Sequence, residues 1–472
     1  MKRLIHPASL LVMLLASSSA PGASGQVPAK QAAPRSSPSV DAAQPFASSE
    51  AENILPRPRE LPDAEERDAA GGLTLDEAIE QLLRQNYQLR IKYQELPKAR
   101  ADILSAGLRN NPALFLSVDG IPYGNYSEQR PGEISYDTLT IVQPTDISGK
   151  RRWRIRLAQS AKNVLEAVYQ DSVRQEIDKL YIAYVNVLEA AIRVRIERRA
   201  LALLKERMEM MRGLVEQGLR PQTDLTSASM RQAQDEVVIR GAEAALLQAR
   251  RELAVLLVVA PERADCLRLH AALPEQAPDL PCTEELIRIA LRVRPDLIAR
   301  RLNVERAHTA VRRTQAERIE NVLPLYTPYQ ATTFPGQPAQ TASGWELGVL
   351  AVAPVFDRKQ GEIAQARIEV SQTQTEVQGA ELIVIEEVRR AAAEYEAARQ
   401  SVARYRREIV PASGDIRAEK QRLYAKGQAS LEIFLNAQQD YNEVVRLYQE
   451  ALLRQRRAML RINIVLGQRL LP

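Results

Sequence analysis

The chain has 472 residues, of which 26% are charged and 5% aromatic, and its formal net charge is +5. Ala, Glu, Gln, Arg and Leu dominate the middle of the sequence, a bias typical of long helices and coiled coils. No basic block carries interleaved aromatic residues, so a nucleic-acid-binding protein is not expected. The sequence also has no metal-ligand spacing, catalytic triad or nucleotide motif. Neither an enzyme nor a cofactor is therefore expected.

The N-terminus has the features of an export signal. Lys2 and Arg3 precede an apolar core at 10–16, and small residues suited to cleavage follow. This pattern predicts a signal peptide over residues 1–25. Residues 26–71 are rich in Pro, Ala, Ser and acidic groups, a composition that predicts a disordered leader.

The rest of the chain contains one unit twice. Residues 77–92 correspond to residues 285–300, which lie 208 positions further on, and Gly218 corresponds to Gly427 at nearly the same spacing. A near-constant spacing along most of the chain indicates a duplicated unit of about 200 residues. The predicted fold is therefore mainly α with a small β part, built from two copies of a helix-strand-strand-long helix-helix unit.

The predicted boundaries follow from caps, breakers and apolar periodicity. The first helical stretch of repeat 1 is predicted at about 75–109 with a break near Pro97, and that of repeat 2 at 284–320 after Thr283. The remaining bounds are 72–260 for repeat 1, 261–282 for the linker and 283–467 for repeat 2, with strands at about 112–120, 133–144, 322–334 and 343–354, and long helices at about 151–217 and 359–426.

The four strand segments have the length of a tilted strand that crosses a bilayer. Their alternation is imperfect: Trp345, Leu347 and Val349 form one apolar face, whereas Tyr136 shares its face with Thr138. Aromatic residues lie near the strand ends, as at membrane interfaces. Two soluble hairpins are the alternative interpretation.

Both long helices carry a sustained four-three apolar repeat, which demands a partner helix. In repeat 1 it includes Ile177, Leu180 and Tyr184, and in repeat 2 it includes Tyr395 and Val402. At 1.5 Å per residue each helix would extend about 100 Å. The helices returning from the turns are predicted at 222–259 and 430–467.

Four strands cannot close a barrel, and an open strand edge cannot persist in lipid. Several copies of the chain are therefore expected to join, so that their strands form one barrel with helices continuing below it. No apolar run of membrane-spanning length occurs outside the signal region, so a helical inner-membrane span is not expected.

Three segments, LTLDEAI (73–79), QPTDISGKRR (143–152) and PVFDRKQGEIAQA (354–366), resemble the outer-membrane efflux protein family, the TolC family, and with the duplication the resemblance covers about 72–467. It implies an outer-membrane homotrimer surrounded by lipid, with a twelve-stranded barrel and a long periplasmic tunnel. It also implies docking to a periplasmic adaptor and an inner-membrane RND-type pump, without catalysis. Residues 354–366 are most similar to members that serve heavy-metal efflux of the cobalt–zinc–cadmium type.

The resemblance also implies a gate at the periplasmic end, where the helical tips fold inward beside an acidic ring. The matching positions are Asp224 and Glu432, and Arg422 and Lys426 are candidate partners. Both acidic residues lie in the first turn of a helix, where capping alone would account for a carboxylate. The turns expected to dock the adaptor contain Gly218, Pro221, Gly427 and Ser430.

The two cysteines, Cys266 and Cys282, both lie in or at the end of the linker between the repeats. An exported protein reaches an oxidising compartment, where a disulfide between them could form. Two unpaired thiols are the alternative.

Two other functions remain open on sequence alone. The same architecture serves multidrug efflux and type I protein secretion. An exported coiled-coil scaffold without a channel belongs to a different class, and it would place the strand segments in water.

Overall fold

The computed structural model describes residues 72–119, 134–218, 221–270, 277–333, 340–425 and 428–471. The predicted signal peptide and leader, residues 1–71, lie outside the described residues. The described chain is mainly α-helical with one small sheet, and the helix-strand-strand-long helix-helix order occurs twice. The predicted fold class is confirmed.

Repeat 1 contains α1 (Leu75–Gln85), α2 (Tyr87–Gly107), β1 (Ala113–Asp119), β2 (Ile134–Val142), α3 (Lys150–Glu216) and α4 (Gln222–Leu256). A short helix, α5 (Pro261–Ala264), opens the linker. Repeat 2 contains α6 (Thr283–Val293), α7 (Pro295–Glu317), β3 (Leu323–Thr333), β4 (Gln340–Leu350), α8 (Gln360–Arg404), a π turn (Tyr405–Ile409), α9 (Val410–Ala425) and α10 (Leu431–Leu466).

The first helical stretch of repeat 1 breaks at a position other than the predicted one, and that of repeat 2 contains a break that the sequence analysis did not predict. Asn86 is extended, and its side chain accepts the N–H groups of Gln88 and Leu89. Pro97, the predicted break, lies inside α2. The break recurs at Arg294, because Pro295 disfavours the α conformation of the residue before it. An N-cap side chain and a helix-starting proline thus set the breaks, 208 residues apart.

The strands also differ from their predicted limits. β4 runs over Gln340–Leu350 rather than 343–354, because Gln340 and Thr341 pair with Thr333 and Thr332 of β3. An apolar pattern cannot reveal these polar residues as strand. Pairing with the neighbouring strand decides the limit.

The long helix of repeat 1 is continuous for 67 residues, about 100 Å. The predicted single helix at 359–426 is instead divided by the π turn, which precedes Pro411. Proline has no N–H to donate and its ring clashes with the preceding turn, and a locally wider turn accommodates both effects. The two long helices are therefore not equivalent.

The two largest apolar clusters of the described residues form the main core, one centred on each repeat. The first packs α1, α3 and α4 around Ile177 and Leu180, and the second packs α6 and α8 around Tyr395. Helix α10 contributes Leu460 to the first and Ile462 to the second. Because α10 belongs to both clusters, it joins the repeats into one body.

Corresponding tyrosines hold the linker against the long helices. The Tyr184 hydroxyl donates to the carbonyls of Leu73 and His270 at 3.0 and 3.2 Å. The Tyr395 hydroxyl donates to the carbonyl of Pro278 at 2.5 Å. These bonds satisfy hydroxyls whose rings lie in the apolar seam.

Arg294 ties the α6–α7 break to α8. Its buried guanidinium donates to Asp296 at 2.6 Å and to Glu387 at 2.5 Å. Burial alone would raise the pKa of Asp296, but the hydrogen bonds and charge of Arg294 hold that pKa below its ordinary value. These ion pairs fix the crossing of the helices in repeat 2.

Replacing Arg294 with Met should lower the free energy of unfolding by about 2–3 kcal/mol, because two partly buried carboxylates lose their partner. The control Arg390→Met removes an exposed pair with Glu386 and should change stability by less than about 0.5 kcal/mol. Denaturation in detergent, followed by helical circular dichroism, measures both. Equal losses in the two variants would contradict the assignment.

The same experiment has a pH dependence. Because the pKa of Asp296 is lowered in the folded state, its contribution is complete above the unfolded value of about 3.9 and is lost as the pH falls through the folded value. The difference between wild type and Arg294→Met should therefore shrink in acid.

Candidate functional site

The four strands form one antiparallel sheet in the order β1-β2-β3-β4. β2 pairs with β3 across the two repeats, with Tyr136 opposite Ala331 and Val142 opposite Leu325. Within the part of the chain that the structure describes, β1 and β4 each have a neighbour on one side only. The sheet therefore has two open edges.

One face of this sheet is an apolar band. Its two central rows, each crossing all four strands, are Leu114, Ile141, Tyr326 and Leu347, then Leu116, Leu139, Pro328 and Trp345. Leu116, Leu347 and Trp345 are 72%, 67% and 64% exposed in the single chain. The next row contains Asp137, Gln330 and Ser343, so the apolar band ends there.

The opposite face is mainly polar at its centre, where hydroxyl residues cluster, and it also carries Phe115 and Leu325. The hydroxyls of Ser117 and Thr138 lie 2.7 Å apart, and those of Thr140 and Thr327 lie 3.1 Å apart. Tyr136 shares this face, so the register accounts for the imperfect alternation noted in the sequence. An exposed apolar face backed by a hydroxyl-rich face is the pattern of a sheet between lipid and water.

No helix among the described residues is long and apolar enough to cross a membrane.

The far ends of the long helices carry the predicted turn residues. Gly218 has φ +72°, a conformation that suits glycine, and Pro221 caps α4. The Ser430 hydroxyl accepts the N–H of Ile433 at 3.3 Å and caps α10. Both turns lie at the ends of α3 and α9 that are remote from the sheet.

The predicted gate residues lie at these turns. Asp224 is in the first turn of α4 and Glu432 in the first turn of α10, while exposed Arg422 is in the last turn of α9. Lys426 and Gly427 lie outside the described residues. The positions of these residues are consistent with a gate, and they are equally consistent with helix capping alone.

Sequence reasoning missed one contact near the second tip. The guanidinium carbon of Arg417 lies 4.2 Å from the centre of the Tyr441 ring and joins α9 to α10. Pro411, at the start of α9, signals an irregular helix but does not reveal this contact.

Cys266 and Cys282 are free and exposed, so the disulfide that the sequence left open is not formed in this structure. Within the described residues no group of His, Cys, Asp and Glu could hold a metal ion.

The fold and its two-faced sheet define a class of outer-membrane protein with a long helical extension. Residues 78–257 match the family model described as "Outer membrane efflux protein". The resemblance drawn from the sequence is thereby confirmed over these residues.

A curated relative is the "Cobalt-zinc-cadmium resistance protein CzcC" of Cupriavidus metallidurans. It is 26% identical over 315 residues, which cover 66% of this chain and 70% of the relative.

Solved structures share the fold at lower identity. The outer-membrane channel OprN is 20% identical with a TM-score of 0.65, covering 83% of this chain and 89% of its own. The open state of the Neisseria gonorrhoeae MtrE outer-membrane channel is 17% identical with a TM-score of 0.63, covering 84% and 89%. CusC is 15% identical with a TM-score of 0.65, covering 84% and 92%.

Both thiols should react in the purified, unreduced protein, because Cys266 and Cys282 are free and exposed. Titration with a thiol-specific chromophoric reagent should yield two thiols per chain, and each single Cys→Ser variant should yield one. A wild-type value near zero would mean that the two residues pair.

Proposed function

We propose that this protein is the exit duct of a tripartite efflux pump, which passively conducts substrate from the periplasm across the outer membrane. The observation that carries the proposal is the four-stranded sheet, which has one apolar face, one polar face and two open edges. The long helices extend this sheet by about 100 Å, enough to reach far into the periplasm. The match of residues 78–257 to the outer-membrane efflux protein model supports the same function.

The open edges support assembly as a homotrimer. A lone four-stranded sheet in lipid would leave the outer backbone groups of β1 and β4 unpaired, at several kcal/mol per group. Pairing β1 of one copy with β4 of the next satisfies these groups. Three copies then form a twelve-stranded barrel.

The two faces assign the inside and outside of that barrel. The apolar band around Leu116, Leu139 and Leu347 faces lipid, and the hydroxyls of Thr138, Thr140 and Thr327 line the channel. The scaffold alternative places the apolar band in water, where nothing would compensate its exposure.

Heavy-metal cations are the proposed cargo. The name of the Cupriavidus metallidurans relative supports this substrate, as does the similarity of residues 354–366 to members of the cobalt–zinc–cadmium type. A passive duct needs no metal ligands in its wall. The proposed partners are a periplasmic adaptor and an inner-membrane RND-type pump, and the adaptor contacts the turns at Gly218, Pro221, Gly427 and Ser430.

Asp224 and Glu432 are proposed to form an acidic ring that gates the periplasmic end. Arg422 and Lys426 are the proposed partners that hold the ring closed. Each exposed pair contributes only about 0–1 kcal/mol, so an adaptor could separate them readily.

Leu347→Arg tests the lipid assignment of the apolar face. A charge facing lipid should destabilise the assembled barrel by about 2–4 kcal/mol and reduce the amount of trimer in the outer membrane. The matched control Thr327→Arg lies on the opposite face and should assemble normally. Membrane fractionation and sizing in mild detergent give the readout, and equal assembly of both variants would contradict the assignment.

The double variant Asp224→Ala/Glu432→Ala tests the gate. Loss of the acidic ring should raise single-channel conductance in planar bilayers and weaken block by divalent cations. The control Asp440→Ala removes an exposed carboxylate of α10 roughly 15 Å from the tip and should leave both properties unchanged. Unchanged conductance and block in the double variant would assign Asp224 and Glu432 to helix capping.

A further inference from the structure

The junction between the sheet and the long helices is strongly basic. Residues 150–165 contain six basic residues and no acidic one. Asp146 precedes them, but its carboxylate accepts the N–H groups of Ser148, Lys150 and Arg151, so it is occupied in capping α3. Lys162 pairs with Glu166 at 2.6 Å, whereas the other five basic residues of this stretch are in no ion pair among the described residues.

Some of these cations have structural partners and others do not. The side chains of Arg151 and Arg154 donate to the last carbonyls of α2, those of Gly107 and Leu108. Arg156 is exposed and, among the described residues, is not in an ion pair. Its guanidinium lies 4.8 Å from the centre of the Trp153 ring.

A groove of about 460 Å³ lies beside this cation, between the start of α3 and the end of α7. It is lined by Trp153, His308, Thr309, Val311, Arg312 and Gln315. Arg312 is exposed and, within the described residues, also has no carboxylate partner. The groove thus combines an aromatic wall, hydrogen-bonding groups and the guanidinium of Arg312, and Arg156 lies beside it on the Trp153 ring.

The groove lies close to the end of the sheet from which the long helices start, which the proposed membrane location places at the membrane surface. Thr145 and Val322 exchange two backbone hydrogen bonds at the end of the sheet, and Trp153 is in the first turn of α3. Phe356 and Ile147, in the loops between strands and helices, are 91% and 61% exposed. A headgroup layer is about 5–7 Å thick on each side of the hydrocarbon, roughly one helical turn.

We propose that this groove binds the phosphate headgroup of an anionic phospholipid of the surrounding bilayer. Arg156 and Arg312 contact the phosphate, and Trp153 lies at the boundary between headgroup and acyl chain, where Trp is enriched. Charge complementarity selects an anionic lipid over a zwitterionic one. The inference rests on the proposed membrane location of the sheet and adds a lipid class and a binding site.

The two tryptophans of the chain separate this inference from the proposed function. Trp345→Phe leaves Trp153 as the only tryptophan, and Trp153→Phe leaves Trp345, which reports on the apolar face. Each full-length variant is reconstituted into phosphatidylcholine vesicles that contain a minor fraction of brominated phosphatidylglycerol or brominated phosphatidylcholine. The bromines are placed near the glycerol end of the acyl chains, and fluorescence quenching is measured.

Trp153 should be quenched more strongly by the anionic lipid, and Trp345 about equally by both. In the Trp345→Phe background, removing the charge of Arg156 and Arg312 should lower the anionic preference about fivefold per arginine. Arg156→Lys/Arg312→Lys keeps the charge and should keep most of the preference. Arg193→Gln/Arg195→Gln, exposed and roughly 60 Å further along α3, should have no effect.

Equal quenching of Trp153 by the two lipids would overturn the headgroup site. Quenching of Trp345 without any quenching of Trp153 would also overturn it, because solvent or a protein partner would then occupy the groove. Absence of quenching at both tryptophans would instead overturn the membrane location, and the proposed function with it.

Discussion

The fold depends on how peptide groups at the edges of a sheet find hydrogen-bond partners. Lipid offers none, so in the proposed membrane location the outer backbone groups of β1 and β4 would pair with another copy of the chain. The duplication makes this possible, since β2 and β3 join the two hairpins into a single four-stranded sheet. The backbone pairing of β2 with β3 therefore gives each chain a single sheet, whose two open edges are β1 and β4.

The helical part has a different requirement: its helices, about 100 Å long, must keep one orientation relative to each other. Apolar seams alone fix the rotation of each helix but not the position of the repeats. Helix α10 fixes the position of the two repeats relative to each other, because it packs into both clusters through Leu460 and Ile462. Tyr184, Tyr395 and Arg294 then attach the linker and the short helices to the seams by buried hydrogen bonds. Both large clusters therefore lie away from the tips, and of the described residues only a small cluster of Met208, Met211 and Ala228 packs close to the first tip.

The two repeats have diverged along their long helices and at the junction between these helices and the sheet. Helix α3 is unbroken, whereas its counterpart contains a π turn before Pro411 and a cation–π contact between Arg417 and Tyr441. The basic junction is likewise denser at the start of α3 than at the start of α8. Duplication therefore supplied the architecture, and local substitutions supplied the differences between its halves.

The sequence by itself determined the duplication, the order of elements, the helix seams and the turns at Gly218 and Ser430, because these follow from periodicity and residue preferences within one segment. The tertiary structure decided the break at Asn86 rather than Pro97, the limits of β4, the apolar face shared by Leu116 and Leu347, and the free state of both cysteines. Each of these depends on which groups meet across the fold. Pairing partners and distances between segments are set by packing, and no local pattern encodes them.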